Sequence, residues 1–425
     1  MEITIQGFKS LRDERTLPIA PLTLLAGANS SGKSSALQPL LLLKQTLEVG
    51  YDPGPLLLNG PNARFSTSQQ LLWQGKRRGD RVQGFRIGLR EIGEAVDLYF
   101  RRPAKGGIEL ERMVHEDGGV SLDLHEGMSD AELNALDLGV VPDRTMHRKL
   151  ERARCAFTVS ARRRMGNLSV EVERFDLFAR FAHLMRSILH LPGLRGNPER
   201  AYPTSQVGEQ FPGLFPDYVA SVVAAWKEAG DARLEALGEA LSHLGLTWKV
   251  EPRRLDDTRV ELRVGRLASP GRGGAKDLVN VADVGFGVSQ TLPVVVALLT
   301  AQRGQIVILE QPEIHLHPRA QVALAKLLLD AARRGVLVMA ETHSHLLLKS
   351  VQRAVASGEV PPSLVKLHWF QRDDEGATHV ATANLDEQGT YGDWPEDFGD
   401  VELEVEDAFL SASMGRRATG LRAPR

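Results

Sequence analysis

Gly27-Ala28-Asn29-Ser30-Ser31-Gly32-Lys33-Ser34-Ser35 is the stretch that decides how this chain is read. Its spacing is G-x-x-x-x-G-K-[ST], a loop whose successive backbone amides turn inward around an anion. The two glycines permit backbone angles that a side chain resists. Residues 22–26 precede the loop as an apolar strand, and 33–47 follow as a helix whose positive N-terminus faces the same anion. Pro39 falls inside that helix and is expected to kink it. In such a loop Lys33 reaches the β- and γ-phosphates of a nucleotide and the Ser34 hydroxyl ligates Mg²⁺. Asn29, Ser30, Ser31, Gly32 and Ser35 complete the cradle, so ATP and Mg²⁺ are the expected cofactors.

Downstream, residues 291–301 and 320–332 have helical character, while 305–309 and 335–340 are short apolar strands. That alternation implies a parallel sheet covered on both faces. Near the start, residues 2–8 are β-rich, and 81–89 and 94–101 alternate like paired strands of an antiparallel layer. Between 105 and 276 the texture changes. Strand-like pieces at 156–160 and 168–172 and helical stretches at 175–189 and 232–244 are punctuated by Gly and charge. The expected fold is α/β: a twisted mixed sheet around the loop, an antiparallel β layer and a large mixed α/β insertion. Residues 1–104 and 277–375 are expected to form one nucleotide-binding head. Residues 105–276 would be an inserted lid or dimerisation region, and 376–425 a C-terminal extension.

Three further segments carry chemistry. Ile306-Val307-Ile308-Leu309-Glu310 is an apolar strand that delivers a carboxylate to the sheet edge where the phosphate loop lies. Asp283-Val284-Gly285-Phe286-Gly287-Val288-Ser289-Gln290 precedes a helix. Its Gly285 and Gly287 amides and Ser289 hydroxyl suit a phosphate, although a Gly-rich turn is equally an ordinary helix start. Glu341-Thr342-His343-Ser344-His345 follows the second apolar strand, where His343 can bond a γ-phosphate or the attacking water. Thr342 or Ser344 can also cap the next helix.

Glu310-Gln311-Pro312-Glu313-Ile314-His315-Leu316-His317-Pro318 resembles the Asp-Glu-Pro-x-x-x-Leu-x-Pro run that closes the Walker B region in ABC, SMC-type and RecF-like ATPases. Residues 283–290 resemble a divergent ABC signature loop, and 341–345 the switch-histidine segment. With Gly7-Phe8-Lys9-Ser10-Leu11, these motifs resemble a bacterial family of ABC-like ATPases related to the OLD (overcoming lysogenization defect) and RecF-like proteins. Leu191-Pro192-Gly193-Leu194-Arg195-Gly196-Asn197-Pro198-Glu199-Arg200-Ala201-Tyr202, Val207-Gly208-Glu209 and Gly392-Asp393-Trp394-Pro395-Glu396-Asp397-Phe398 fit the branch without a long coiled coil. The resemblance implies an ABC-type P-loop NTPase head, with ATP sandwiched between the phosphate loop of one copy and Gly285, Gly287 and Ser289 of another. It implies Glu310 as the Mg²⁺-associated acid beside Ser34, and Glu310, Gln311, Glu313 and His343 as the catalytic set. His315 and His317, which with Glu313 have the look of metal ligands, then fall in a loop at the protomer contact. The departure is Gln311, which stands where ABC enzymes carry a water-activating Glu. An amide orients water but cannot take its proton. Slow hydrolysis and a long-lived ATP-bound dimer are therefore expected, unless Glu313 or Glu341 substitutes as base.

The chain has 425 residues, 42% hydrophobic and 25% charged, so two or more structural units are expected. A formal net charge of −2 indicates no polyanion partner, although Arg77-Arg78 and Arg162-Arg163-Arg164 could touch nucleic-acid phosphates. With Cys155 the single cysteine, an internal disulfide and a cysteine metal cluster are excluded. No apolar run approaches the ~20 residues of a spanning helix, and Met1-Glu2-Ile3-Thr4-Ile5 lacks signal-peptide character. A cytoplasmic protein without membrane contact is expected. Its expected partners are further copies of the chain, as a homodimer or higher oligomer, and a separate effector protein. The resemblance implies a role beside effectors in prokaryotic defence against phage or plasmids. About fifty residues follow Arg372, too few for the Toprim nuclease domain of OLD-type proteins. The competing reading is a RecF- or SMC-like DNA-repair or clamp ATPase, for which no heptad run supplies a coiled-coil arm. A transporter subunit fits the divergent signature loop and the insertion less well.

Overall fold

Leu22, Leu24 and Ala26 on one face and Thr23 and Leu25 on the other are all buried, so the strand before the phosphate loop has no side for water and lies inside a sheet. The computed structural model describes residues 1–77, 79–139, 146–165, 168–267, 269, 277–392 and 407–410. The Trp-Pro run at 393–398, Arg78 and the Arg-rich tail after 415 lie outside them. In chain order, β1 (Glu2–Gln6), β2 (Arg15–Pro18) and β3 (Leu22–Gly27) lead into α1 (Lys33–Glu48). A meander of β4 (Gly84–Glu91), β5 (Glu94–Arg101), β6 (Glu109–Asp117) and β7 (Val120–His125) precedes α2 (Asp130–Ala135). Next come β8 (Met146–Ala153), β9 (Ala156–Met165), β10 (Leu168–Phe175), α3 (Ala179–Arg186) and β11 (Leu189–Leu191). The chain then forms β12 (Tyr202–Pro203), α4 (Val219–Ala229), α5 (Arg233–His243), β13 (Val250–Asp256), β14 (Arg259–Gly265) and β15 (Leu278–Asn280). It closes with α6 (Phe286–Thr300), β16 (Ile306–Glu310), α7 (Pro318–Arg333), β17 (Leu337–Glu341), α8 (His345–Ala356), β18 (Val365–Arg372) and β19 (Thr378–Asn384).

The central sheet has the order β11-β16-β17-β3-β18-β19, parallel throughout except for β19 at one edge. Its two faces belong to two cores. Leu22, Leu24, Val307, Leu309, Val338 and Ala340 join the core under α4 to α8, whereas Leu25, Ile306, Ile308 and Met339 join the core shared with α1 and the antiparallel layer. That alternation is the period-two signature of a strand buried on both sides. The antiparallel layer is a second sheet, β2-β1-β4-β5-β6-β7. It packs Ile3, Ile5, Phe85, Ile87, Val96 and Leu98 onto α1. Two smaller antiparallel sheets complete the fold, β10-β9-β8 and the group of β12, β14, β13 and β15.

Mixed α/β architecture, antiparallel layer and mixed insertion are thus as expected, with differences in detail. The described part of 105–276 contributes strands to both large sheets. β6 and β7 extend the antiparallel layer, and β11 pairs with β16 in the central sheet. The expected helix at 175–189 is reduced to α3, because Leu189–Leu191 gains more as a sheet strand against Val307 to Leu309. α6 starts five residues earlier than expected, at Phe286, so the signature segment is itself the helix start. Pro39 sits within an unbroken α1.

His368 on β18 is buried beside β3 and bridges two segments. Its Nε2 lies 3.0 Å from the Pro18 carbonyl and its Nδ1 2.9 Å from the Thr382 hydroxyl. A carbonyl only accepts, so Nε2 carries the proton and Nδ1 accepts from Thr382. Burial pushes the imidazole down to about 4. The unfolded chain therefore binds the extra proton between pH ~6.5 and the folded value, and stability falls as pH drops through that window. From pH 7 to 5 this group alone is expected to remove about 2 kcal/mol. Urea denaturation of wild type and His368→Gln at both pH values checks it: the loss specific to wild type should disappear in the variant.

Candidate functional site

The carboxyl ends of parallel strands open onto one edge of the sheet, where loops from distant parts of the chain converge. Gly27 ends β3 at φ 140°, and a Cβ there would lie 2.2 Å from the Phe370 carbonyl oxygen on the neighbouring β18. Gly32 turns the loop into α1 at φ 106°, and its Cβ would collide with the hydroxyls of Thr378 and Ser10. These two positions require glycine for both angle and space. Thr378 on β19 clamps the loop from outside, its hydroxyl donating to the Ser31 carbonyl at 2.7 Å. Lys33 is buried and its ammonium donates to the loop carbonyls of Gly27 (3.0 Å) and Ala28 (2.8 Å). Asn29 and Ser30 are exposed on the loop, Ser30 with φ 60°. A cleft of about 410 Å³ lies over the loop, lined by Ser30 to Ser35, Lys9, Gln69, Gln74, Glu341 and Arg372.

Three acids stand at the sheet edge, each held differently. Glu341 lines the cleft and accepts a hydrogen bond from the Ser34 hydroxyl at 2.9 Å. Burial, and then the charges of Glu310 and Glu313, push its carboxyl above the usual range, against the pull of Ser34 and Lys33. Glu310 is opposite Glu341 in register but turns the other way. Its Oε1 lies 3.2 Å from His190 Nε2 and its Oε2 accepts from the Gly193 amide at 3.2 Å. Those contacts outweigh burial and hold Glu310 below the ordinary carboxylate range. Glu313 is buried, and its Oε1 accepts from both the Thr342 hydroxyl and the His343 amide at 2.8 Å. Its Oε2 is buried with no hydrogen-bond partner among the described residues. A carboxylate oxygen left in that condition costs on the order of 1–3 kcal/mol and marks a group poised for something outside the chain. Oxygen donors such as Ser34 and Glu341 suit Mg²⁺, which is held by one or two carboxylates plus substrate phosphates rather than by an all-protein cage. Among the described residues no cluster of three or more acidic, His or Cys side chains could hold a metal unaided.

His343 is exposed at the rim of the site, and partial desolvation first and the charge of Lys33 second push its imidazole down. It is neutral near pH 7, able to accept or donate. The cap of α8 is made by Ser344, whose hydroxyl accepts from the Leu347 amide at 3.0 Å. Gln311 has φ 46°, a strained angle for a residue with a side chain, and its amide donates to the Glu341 carbonyl at 2.8 Å. His317 caps α7 through Nδ1, and His315 packs its ring against Phe286 at the start of α6. Gly285 is the N-cap of α6, and Ser289 is half-buried in its first turn, with its hydroxyl donating to the Phe286 carbonyl at 3.2 Å in an exposed hydrogen bond. Gly285, Gly287 and Ser289 do not line the cleft over the phosphate loop. They form a second helix N-terminus elsewhere on the same chain.

Arg195 joins that helix to the acids. Its guanidinium donates to the carbonyls of Gln290 (3.2 Å), Glu310 (3.0 Å) and Gln311 (3.4 Å). Burial pulls it down to about 10, against the charges of Glu313 and Glu310, so it stays charged at neutral pH. Gln290 answers by donating to the Gly196 carbonyl at 2.7 Å. Arg200, by contrast, makes an exposed pair with Asp283. Sequence reading missed His190 and Thr378. The one signal for His190 was a polar side chain inside the apolar strand Ile188-Leu189-His190-Leu191; Thr378 carries none.

A glycine-bounded phosphate loop between β3 and α1, at the carboxyl edge of a parallel sheet, is the arrangement of a P-loop nucleotide-binding fold. Residues 239–349 match the family model described as "AAA domain, putative AbiEii toxin, Type IV TA system". That stretch includes the signature segment, the Glu310 strand and the switch segment, and stops short of the phosphate loop at 27–35. No curated protein matches the chain in sequence. Among solved structures, the chain is similar to an Smc head bound to the C-winged helix domain of ScpA, 13% identical over 91% of this chain and 98% of that one, with TM-score 0.49. It is also similar to the SMC head domain from Thermotoga maritima, 10% identical over 89% and 97%, with TM-score 0.40. An Smc head domain with an extended coiled coil from Pyrococcus furiosus, bound to the C-terminal domain of ScpA, is 10% identical over 90% and 96%, with TM-score 0.47.

Removing Arg195 takes its donor from three carbonyls in a part-buried place. Arg195→Ala is expected to cost about 3 kcal/mol in urea denaturation, and Arg195→Lys to recover part of it, because one ammonium cannot span all three acceptors.

Proposed function

We propose that the protein binds and hydrolyses ATP with Mg²⁺, that two copies close around the nucleotide, and that this closure controls a separate effector protein. The observation that carries the reading is the division of the site. The phosphate loop opens a cleft on one part of the chain, and the Gly285–Ser289 helix start lies outside that cleft. A helix N-terminus with an exposed hydroxyl is suited to an anion, and a second copy would bring one to the γ-phosphate that Lys33 holds. Asn29 to Ser35 would cradle the phosphates, with Lys33 leaving its loop carbonyls for the β- and γ-phosphates. Bound Mg²⁺ would neutralise charge between the phosphates and rest on Ser34 and an acid of the sheet edge.

For hydrolysis, Gln311 would orient the attacking water and Glu313, through its unpartnered Oε2, would take the proton. Neutral His343, whose amide is tied to Glu313, would touch the γ-phosphate and relay its presence to α8. Glu313 is remote in sequence from the usual base position by two residues and strapped to the switch segment, which supports slow turnover and a long-lived closed dimer. A role in prokaryotic defence is supported by the resemblance of the motifs to the OLD and RecF-like ATPases and by the toxin–antitoxin description of the family that residues 239–349 match.

Mass in solution by light scattering tests the sandwich. ATP with Mg²⁺ is expected to drive or tighten assembly in wild type, and Lys33→Ala and Ser289→Arg are each expected to abolish that response. A mass indifferent to ATP in a protein that still binds it would remove the sandwich. For the base, Glu313→Gln is expected to lower kcat by about 10²- to 10⁴-fold with nucleotide binding retained. Gln311→Ala should have the smaller effect, and the reverse order in single-turnover assays would return the role to Gln311.

A further inference from the structure

We infer that Glu341, and not the strand-end acid Glu310, is the protein carboxylate that faces the nucleotide's Mg²⁺ beside Ser34. The inference rests on the ATP reading and refines it. β17 lies between β16 and β3, so Glu341 stands one strand nearer the phosphate loop than Glu310 does. The register sets Glu341 opposite Leu25 on β3, three residues before the loop turns outward at Ala28. The hydroxyl expected to ligate the metal already meets it: Ser34 Oγ lies 2.9 Å from Glu341 Oε2. Glu341 lines the cleft, and Glu310 does not.

Glu310 is spoken for on the far side. Both of its oxygens are engaged by the β11 segment, through His190 and the Gly193 amide, and that segment borders β16 on the side away from the loop. His190 is in turn fixed by Asn62, 3.0 Å from its Nδ1. Turning Glu310 towards the loop would break two hydrogen bonds and strand a buried histidine, at a cost that no comparable contact on the loop side offsets. The acids nearest to Lys33 in electrostatic effect are Glu341 first and Glu313 second. The Glu310 carboxylate is therefore a positioning group, which ties the 190–195 segment, and with it Arg195, to the sheet.

The test titrates full-length protein with Mn²⁺ in the presence of a saturating non-hydrolysable ATP analogue, reading free Mn²⁺ by electron paramagnetic resonance. Analogue affinity is measured in parallel without divalent metal. Glu341→Gln is expected to bind the metal-free analogue as wild type does and to lose about 10- to 100-fold in Mn²⁺ affinity. Glu310→Gln is expected to hold its Mn²⁺ affinity close to wild type. Unchanged Mn²⁺ affinity in Glu341→Gln, or a loss confined to Glu310→Gln, overturns the inference and leaves the ATP reading standing. A wild type that binds no analogue removes both. Metal-free binding by each variant reports that the loop is intact, so misfolding and metal loss give different results.

Discussion

Two backbone hydrogen bonds hold the site's pieces in register. The Thr342 amide donates to the Leu25 carbonyl at 3.0 Å, and the Gln311 amide donates to the Glu341 carbonyl at 2.8 Å. Each continues a parallel ladder one residue past the strand and into the loop that carries chemistry. Because a parallel ladder fixes side-chain direction with period two, a slip of one residue would turn Glu341 into the core and Ala340 into the cleft. Everything proposed for Ser34, Glu341, Glu313 and His343 depends on that register.

A second layer of organisation is a half-buried cation bonded to backbone carbonyls. Arg195 gathers carbonyls from the start of α6 and from the end of β16, so the helix that would meet another copy's phosphate is bolted to the strand that ends at the acids. A buried guanidinium is costly to desolvate, and it is retained here with several acceptors around it, as a group with a geometric task is expected to be. Glu310 reinforces the same junction through Gly193, two residues away. Changes at the acids and changes at the signature helix are therefore mechanically linked within one chain, without a long pathway between them.

Local motifs carried most of what was legible beforehand. The phosphate loop, the strand ending in Glu310 and the Thr-His-Ser segment are each contiguous, so spacing alone located them, and β5 was expected at the residues it occupies. What escaped were features whose partners are far away in sequence. Thr378 touches the loop across 347 positions, and His190 meets Glu310 across 120. The first residue of β11, Leu189, reads as the end of a helix until β16 is beside it, since pairing with a buried strand overrides local propensity there. The insertion looked separate because its texture is polar, yet β6 and β7 are simply the solvent-facing end of a sheet begun at residue 2.

β3 is made long before its two sheet neighbours, β17 and β18, which lie at Leu337–Glu341 and Val365–Arg372. At a ribosomal pace of roughly 5–20 residues per second, a strand destined for complete burial waits on the order of half a minute for its first partner. During that wait the phosphate loop has no sheet behind it, and the clamp from Thr378 arrives later still. The loop therefore gains its sheet and its clamp only after β17, β18 and Thr378 are made, and until then the nascent protein depends on α1, α3 and the antiparallel layer to shelter one face of β3. A chaperone that screens the other face until the last third of the chain emerges would matter more to this protein than to one whose central strands are neighbours in sequence.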